Sequence, residues 1–354
     1  MPIPTEPIGS IPRPPELIAG LLRAADGRIA SSELEALFDH AARDTIARFE
    51  ATGSPVVTDG EQRKPSFATY PIAGLDALAP NGVEIPFVDG HTRRLPVLTG
   101  GPFRYRTHAD SYLVAAQRIA TRPVKQAVIS ASALSLLYPA GGIDGYSREA
   151  FTADLLDEAE ADIRGCLDAG AYNVQIDFTE ARLSLKLDPS GALLRSFVDL
   201  NNQVLDRFSD EDRRRIGVHT CPGGDQDSTH SADVDYADLL PLFFELHAGT
   251  FYLELAGEEE PEAALQTVAR TVKPDQRVFV GVTDPIDPEV ETPEQVRDRV
   301  LLAARYIALD RLGTTDDCGF SPFADDASTA RDTAFAKIRA RVEGTKLAAE
   351  RLGA

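Results

Sequence analysis

Short apolar runs of four to eight residues alternate with stretches of helical periodicity along most of the chain. The run VKQAVISAS (124–132) precedes SREAFTADLLDEAEADIRGCLDAG, and AYNVQIDFTE (171–180) precedes LLRSFVDLNNQVLDRF. RIGVHTC (215–221) leads into ADLLPLFFELHAG, and FYLELAGE (251–258) into EAALQTVARTV. RVFVGVTD (277–284) precedes a helix with Thr292 as N-cap, Pro293 in the first turn and Gln295 closing a capping box. A last run approaches LGTTDDCGF, and TARDTAFAKIRARVEGTKLAAERL closes the chain as a helix. Near the start, SSELEALFDHAARDTIARFEATG reads as a helix capped by Ser32 and Glu35, with Leu34, Leu37, Phe38, Ala41 and Phe49 on one face and Gly53 as its stop. SPVVTDGEQ follows it as the first strand.

Continuous apolar runs covered by amphipathic helices imply parallel strands. About seven such units in 354 residues predict an α/β fold, a single (β/α)8 TIM barrel forming one domain over residues 1–354. A doubly wound sheet is the alternative, but no GxGxxG follows an early strand and no P-loop occurs. Residues 74–110 lack helical periodicity and read as an insertion after the first strand, with 74–101 as a hairpin or lid.

Composition narrows the partners. With 26% charged and 43% hydrophobic residues the chain is a soluble globular one, and a net charge of −20 leaves no basic patch for a phosphate backbone, so nucleic acid is not expected. No stretch reaches the ~20 apolar residues of a membrane span. The N-terminus lacks a signal-peptide pattern, and the expectation is a cytoplasmic protein. Three cysteines make no complete disulfide set, which directs attention to metal or catalytic thiols.

In a barrel of this type the strand C-termini build the active site. Unusual polar residues fall there: Asp59 and Glu61, Ser130 and Ser132, Asp177 and Glu180, His219 and Cys221, Glu254, Asp284, then Asp316, Asp317 and Cys318. Residues two apart on a strand point the same way, so His219 and Cys221 can face one ion, with Cys318 and a carboxylate, best Glu254, completing a tetrahedral zinc site. Cys166, on the apolar face of its helix, reads as a buried hydrophobe. Of the histidines, His40 and His247 lie within helical patterns and His91 and His108 in the loop-rich region, while His230 reads first as an exposed loop residue and alternatively as a substrate or supporting contact near the mouth. Asp59, Glu61, Asp177 and Glu254 also offer the paired carboxylates of a glycoside hydrolase, which has no use for soft ligands.

The blocks IGSIPRP (8–14), TDGEQRK (58–64), VQID (174–177), HTC (219–221), DPIDPEVETPEQVRDRV (284–300) and DDCGF (316–320) together resemble the cobalamin-independent methionine synthase superfamily, catalytic C-terminal half. The resemblance runs from residue 3 to about 345. It implies Zn2+ held by His219, Cys221, Glu254 and Cys318, with Glu258 as the fallback for Glu254. It also implies an amino-acid thiol held by Ile8, Ser10, Glu61 and Asp177. The implied enzyme is a zinc-dependent thiol alkyltransferase without a covalent protein intermediate, its partners a small-molecule thiol and an alkyl donor.

Departures bear on the donor. The chain has no tryptophan, on which the folate-using enzymes stack the pterin, and IDFTEA replaces the acid-proline pair after the aspartate. Two activities therefore stay open. One is methyl transfer to homocysteine, giving methionine, from methyl-folate or a methyl-corrinoid protein. The other is the opening of an epoxyalkane by coenzyme M, for which Arg63 and Lys64 could serve the sulfonate. Intact Glu61 and Asp177 favour a substrate with an ammonium group, hence homocysteine. A non-catalytic zinc- or thiol-binding barrel is the reading from another class.

Overall fold

A computed structural model describes residues 2–354. Six strands form one parallel sheet: β1 (Gln126–Ile129), β2 (Val174–Asp177), β3 (Ile216–Thr220), β4 (Thr250–Leu253), β5 (Arg277–Gly281) and β6 (Leu312–Thr315), paired in that order. All but Arg277 are buried, which explains why these strands read as unbroken apolar runs rather than alternating ones. The register aligns Ile129 with Asp177 and Asp177 with His219, so neighbouring strands end level and their polar tips gather at one edge.

Each sheet margin carries one further parallel bridge, Val57 to Val124 beside β1 and Thr5 to Thr314 beside β6. These two flanking segments bond to one another, Ile11 N to Gly60 O at 3.0 Å and Thr58 Oγ1 to Gly9 O at 2.8 Å. The expected first strand at SPVVTDGEQ is reduced to its bridge at Val57, because Gly60 (φ 69°) and Glu61 (φ 57°) turn the chain out of extended geometry.

Amphipathic helices cover the sheet, among them Arg148–Asp168, Ala192–Leu205, Pro261–Thr271 and Arg331–Leu352. Thr292 and Gln295 form the predicted capping box on Pro293–Ala303. The other predicted box does not form: the helix Ser31–Ala51 has Ala30 at its N-cap with no side-chain cap, and Glu35 instead pairs with Arg63. Tertiary ion pairing has taken the carboxylate that a local cap would have used. Two short helices, Ala131–Ser135 and Glu180–Leu187, begin directly beyond strand tips, at the ends of the apolar runs 124–132 and 171–180, where the sequence pattern assigns no helix. The 74–110 region contains two antiparallel pairings, Leu78–Ala79 with Val97–Leu98 and Glu84–Pro86 with Thr92–Arg94, and then a helix, Asp110–Gln117.

One buried cation ties the N-terminal segment to the loops at the strand ends. Arg13 donates to Ser321 O at 2.6 Å, Glu61 O at 2.7 Å and Lys64 O at 3.0 Å, joining three loops at the strand ends. Replacing it leaves Ser321 O and Lys64 O buried without a donor among the described residues, while Glu61 O keeps only the Lys64 N–H at 3.1 Å. Arg13→Met is expected to lower the unfolding free energy by about 3 kcal/mol in urea titration. A loss under about 1 kcal/mol would mean that packing, not the guanidinium, holds the segment.

Candidate metal and thiol site

His219 is buried in β3 and Cys221 lies one residue beyond its end, while Cys318 sits in the loop after β6. The sulfurs of Cys221 and Cys318 are 3.0 Å apart, and one ligand atom from each of the three residues falls within 4.8 Å of the others. Both ring nitrogens of His219 are buried without a hydrogen-bond partner among the described residues. A buried imidazole with no partner is costly unless something outside the chain takes its lone pair. Nitrogen and two sulfurs at this spacing suit a soft or borderline divalent metal, so the group could hold one. The hydrogen bond between the thiols lowers Cys318 and raises Cys221.

Close packing makes the turn after Cys221. Gly223 has φ 74°, and a Cβ there would lie 1.8 Å from the ring of His230. Gly319, just past Cys318, lets Ser10 approach, since its Cβ would meet Ser10 Oγ at 2.1 Å. Ser10 Oγ in turn accepts from Ser321 N at 3.2 Å.

Glu254 is buried at the end of β4 but outside the three-residue group. Arg182 holds it, Nη1 to Oε2 at 3.0 Å, and the same nitrogen reaches Glu258 Oε1 at 2.6 Å. Burial and the nearby Asp317 raise the Glu254 carboxyl. Its position is fixed by Asp317, whose carboxylate accepts from the backbone of Leu255, Ala256 and Gly257 at 2.7–2.9 Å.

One cavity joins the residues expected to contact a thiol. Ile8, Ser10, Glu61 and Asp177 line it together with His219 and Cys318. Gln175 supports both the strap and the acid, donating to Ile8 O at 3.2 Å and Asp177 Oδ1 at 2.7 Å. Burial pushes Asp177 up to about 6, with Glu61 adding to the effect and His219 opposing it. Glu61 is paired to Lys64 at 2.7 Å, and that ammonium also donates to Ala127 O at 2.9 Å and lies 4.4 Å from the centre of the Tyr70 ring.

Other expectations change. Arg63 points outward to Glu35 and Asp39 and Lys64 is spent on Glu61, so neither is free for a sulfonate. Asp59 is absent from this cavity and accepts from Glu61 N at 2.9 Å, and Asp316 is taken by Thr283 and Arg341. Cys166 is buried among apolar residues as expected. His230 is not an exposed loop residue: it is buried, lines the cavity and bonds Ser231 Oγ at 2.9 Å, and burial with Lys186 and Arg182 lowers it to about 4. Its polar neighbourhood in DQDSTHSADVDY concealed this, because the covering hairpin is remote in sequence. That hairpin brings Ile85, Phe87 and Arg93 over the cavity, with Arg93 anchored on Asp225 and on Asp325 at 2.9 Å.

Among the described residues no helix is long and apolar enough to cross a membrane. The chain is similar to a methionine synthase of Sulfurisphaera tokodaii, 22% identical over 99% of this chain and 94% of that one. It is 24% identical to a 5-methyltetrahydropteroyltriglutamate–homocysteine methyltransferase of Nitratidesulfovibrio vulgaris, over 90% of this chain but only 38% of that longer protein. Its fold matches a B12-independent methionine synthase from Shewanella sp. W3-18-1 with a TM-score of 0.78 and 18% identity over 99% of both chains. The family model for the cobalamin-independent synthase catalytic domain matches residues 3–343, and the chain belongs to that family.

Proposed function

We propose that this protein is a zinc-dependent thiol S-alkyltransferase that methylates homocysteine to methionine. The observation that carries the reading is that the His219, Cys221 and Cys318 group opens into the cavity lined by Ile8, Ser10, Glu61 and Asp177. In this reading residues 1–354 form one (β/α)8 barrel, its first and last staves joined by the Ile11–Gly60 and Gly9–Thr58 bonds, and the 74–101 hairpin is its lid. His219, Cys221 and Cys318 hold zinc, and Glu254 is the fourth ligand. Glu254 is favoured over Glu258 because it stands at the tip of β4, the strand paired with β3, and its charge is felt at Cys221. Zinc bound there keeps a substrate thiol as thiolate near neutral pH.

The chain's own residues select and orient the thiol compound. Glu61 and Asp177 face the cavity as acceptors for an ammonium group, and Lys64 holds the Glu61 carboxylate in one orientation. The Ile8 to Ser10 strap, joined to Asp177 through Gln175, serves as wall for the rest of the amino acid, and Phe87 of the hairpin covers the cavity. The names borne by the relatives support homocysteine as acceptor and a methylated pterin as donor; none supports a corrinoid protein. Beside the thiol cavity lies a second, mostly apolar one of about 540 Å3, which would also admit an epoxyalkane. Coenzyme M has less support as the thiol, because among the described residues Arg63, Lys64 and the cavity-lining Arg93 are all paired with carboxylates.

Three outcomes test this. The purified protein is expected to carry about one zinc per chain by metal analysis, and Cys318→Ser or His219→Ala to weaken zinc binding at least about tenfold; unchanged affinity in both would remove the site. Zinc-loaded protein given homocysteine and methyl-folate should form methionine, with activity lost on chelation. No thioether from homocysteine or coenzyme M with methyl-folate, methylcobalamin or epoxypropane would leave a non-catalytic binding barrel. Glu61→Gln should raise the KM for homocysteine about tenfold or more, a charged hydrogen bond being lost, while zinc content stays at the wild-type level. An unaltered KM would show that Glu61 does not take the ammonium.

A further inference from the structure

Glu180 has no part in the scheme above, yet it stands where two cavities meet. It lines the thiol cavity and also the larger apolar one, together with Phe67, Thr179, Leu183 and Phe323. The residue is 6% exposed. One oxygen, Oε1, accepts from Ser130 Oγ at 2.6 Å and from Ser132 Oγ. Asn201 Nδ2 donates to Ser132 Oγ at 2.7 Å, which leaves the Ser132 proton directed at Glu180. The other oxygen, Oε2, is buried with no partner among the described residues.

This asymmetry places the proton. An oxygen that already accepts two hydroxyl protons is the carbonyl-like one, so a neutral Glu180 carries its proton on Oε2. Burial, reinforced by Asp177, pushes the carboxyl up to about 7, so it is largely protonated in mildly acidic solution. The other charged or titratable groups lining the two cavities are Asp177, Glu61, His219, His230 and Cys318 on the thiol side, Glu84, Arg94 and Asp325 on the apolar side, and Arg93, shared by both and already paired with Asp225 and Asp325.

We propose that Glu180 is the general acid of the alkyl transfer, donating its Oε2 proton to the leaving heteroatom of an electrophile whose apolar body occupies the larger cavity. The inference rests on the alkyltransferase reading. The thiolate sulfur forms the new sulfur–carbon bond with its electron pair as the carbon–oxygen or carbon–nitrogen bond breaks. The departing pair on oxygen or nitrogen takes the proton, leaving Glu180 as carboxylate. The proton given up by the next thiol as it becomes thiolate restores the acid, so the cycle is balanced and needs no oxidant or reductant. The electrophile class is thus one with a poor, basic leaving atom, a strained cyclic ether or a methylated ring amine.

Glu180→Gln keeps an oxygen that can accept from both serines but has no acidic proton. Infrared difference spectra of wild type minus variant should show a protonated-carboxyl carbonyl band at pH 6 that disappears as the pH rises through about 7. Absence of that band at pH 6 overturns the proposal whatever the activity. Transfer to homocysteine from methyl-folate or epoxypropane, whose leaving atoms need a proton, should fall about a hundredfold further in the variant than alkylation by iodomethane, whose iodide needs none. Equal losses with both kinds of donor would make Glu180 a structural residue and overturn the proposal. No thioether from wild type with any donor, with the infrared band present, would instead remove the alkyltransferase reading, and the proton's task with it.

Discussion

The site depends on a buried cation that lies outside the cavity and meets its wall through backbone carbonyls. Arg13 spans the N-terminal strap, the Glu61 to Lys64 turn and the Ser321 loop, and each of these carries part of the cavity wall. A guanidinium is suited to this because its donors are fixed in one plane and cannot relax separately. Ile8 and Ser10, Glu61, and Cys318 therefore keep their mutual positions although more than 300 residues separate the first pair from the last. The strap is tied at its other end as well, by Lys125 donating to Pro7 O at 2.9 Å and by the Glu6 carboxylate accepting from Tyr252. Burial lowers Lys125 to about 8, so this end too carries a desolvation cost that its partners must offset.

That arrangement explains an otherwise expensive feature. Glu61 adopts φ 57°, a left-handed conformation that a non-glycine residue holds only when its surroundings over-determine it. Here its N–H is taken by Asp59, its carbonyl by Arg13 and its carboxylate by Lys64. Every polar group of the residue is directed except one carboxylate oxygen. The strain is the cost of aiming that oxygen into a cavity rather than along a strand.

How much of this was legible from residues alone follows the range of the interactions. The six parallel strands and the Thr292 capping box were readable because apolar runs and caps are decided within a few residues. His219, Cys221 and Cys318 were readable as a group because soft ligands at strand ends are few and have little other use. Most of the failures are long-range. Ser32 looked like a cap until Arg63 claimed Glu35, and His230 looked solvated until Phe87 and Gly223 enclosed it. Lys64 looked like a free surface charge, though its nearest acid stands three positions away in the same turn. Glu180 was visible only as half of an acid pair, because the serines that direct it lie about fifty residues upstream.

Charge balance decides what the cavity can accept. Three buried carboxyls, Glu61, Asp177 and Glu180, face it beside the Cys318 thiol. The cations nearby are committed: Lys64 to Glu61, Arg182 to Glu254 and Glu258, and Arg93 to Asp225 and Asp325. A largely buried cavity wall with this excess of acid favours protonation of some of the acids or the entry of cations from outside. Asp177 and Glu180, raised to about 6 and 7, show the first response already in place. A metal at the sulfurs and an ammonium at Glu61 and Asp177 would be the second. Their arrival would favour ionisation of Asp177, which lies at the cation end, more than that of Glu180, which is directed by neutral hydroxyls toward an apolar space. The same cavity could then hold one acid as a charged anchor and the other as a proton reserve, with strand register keeping them apart.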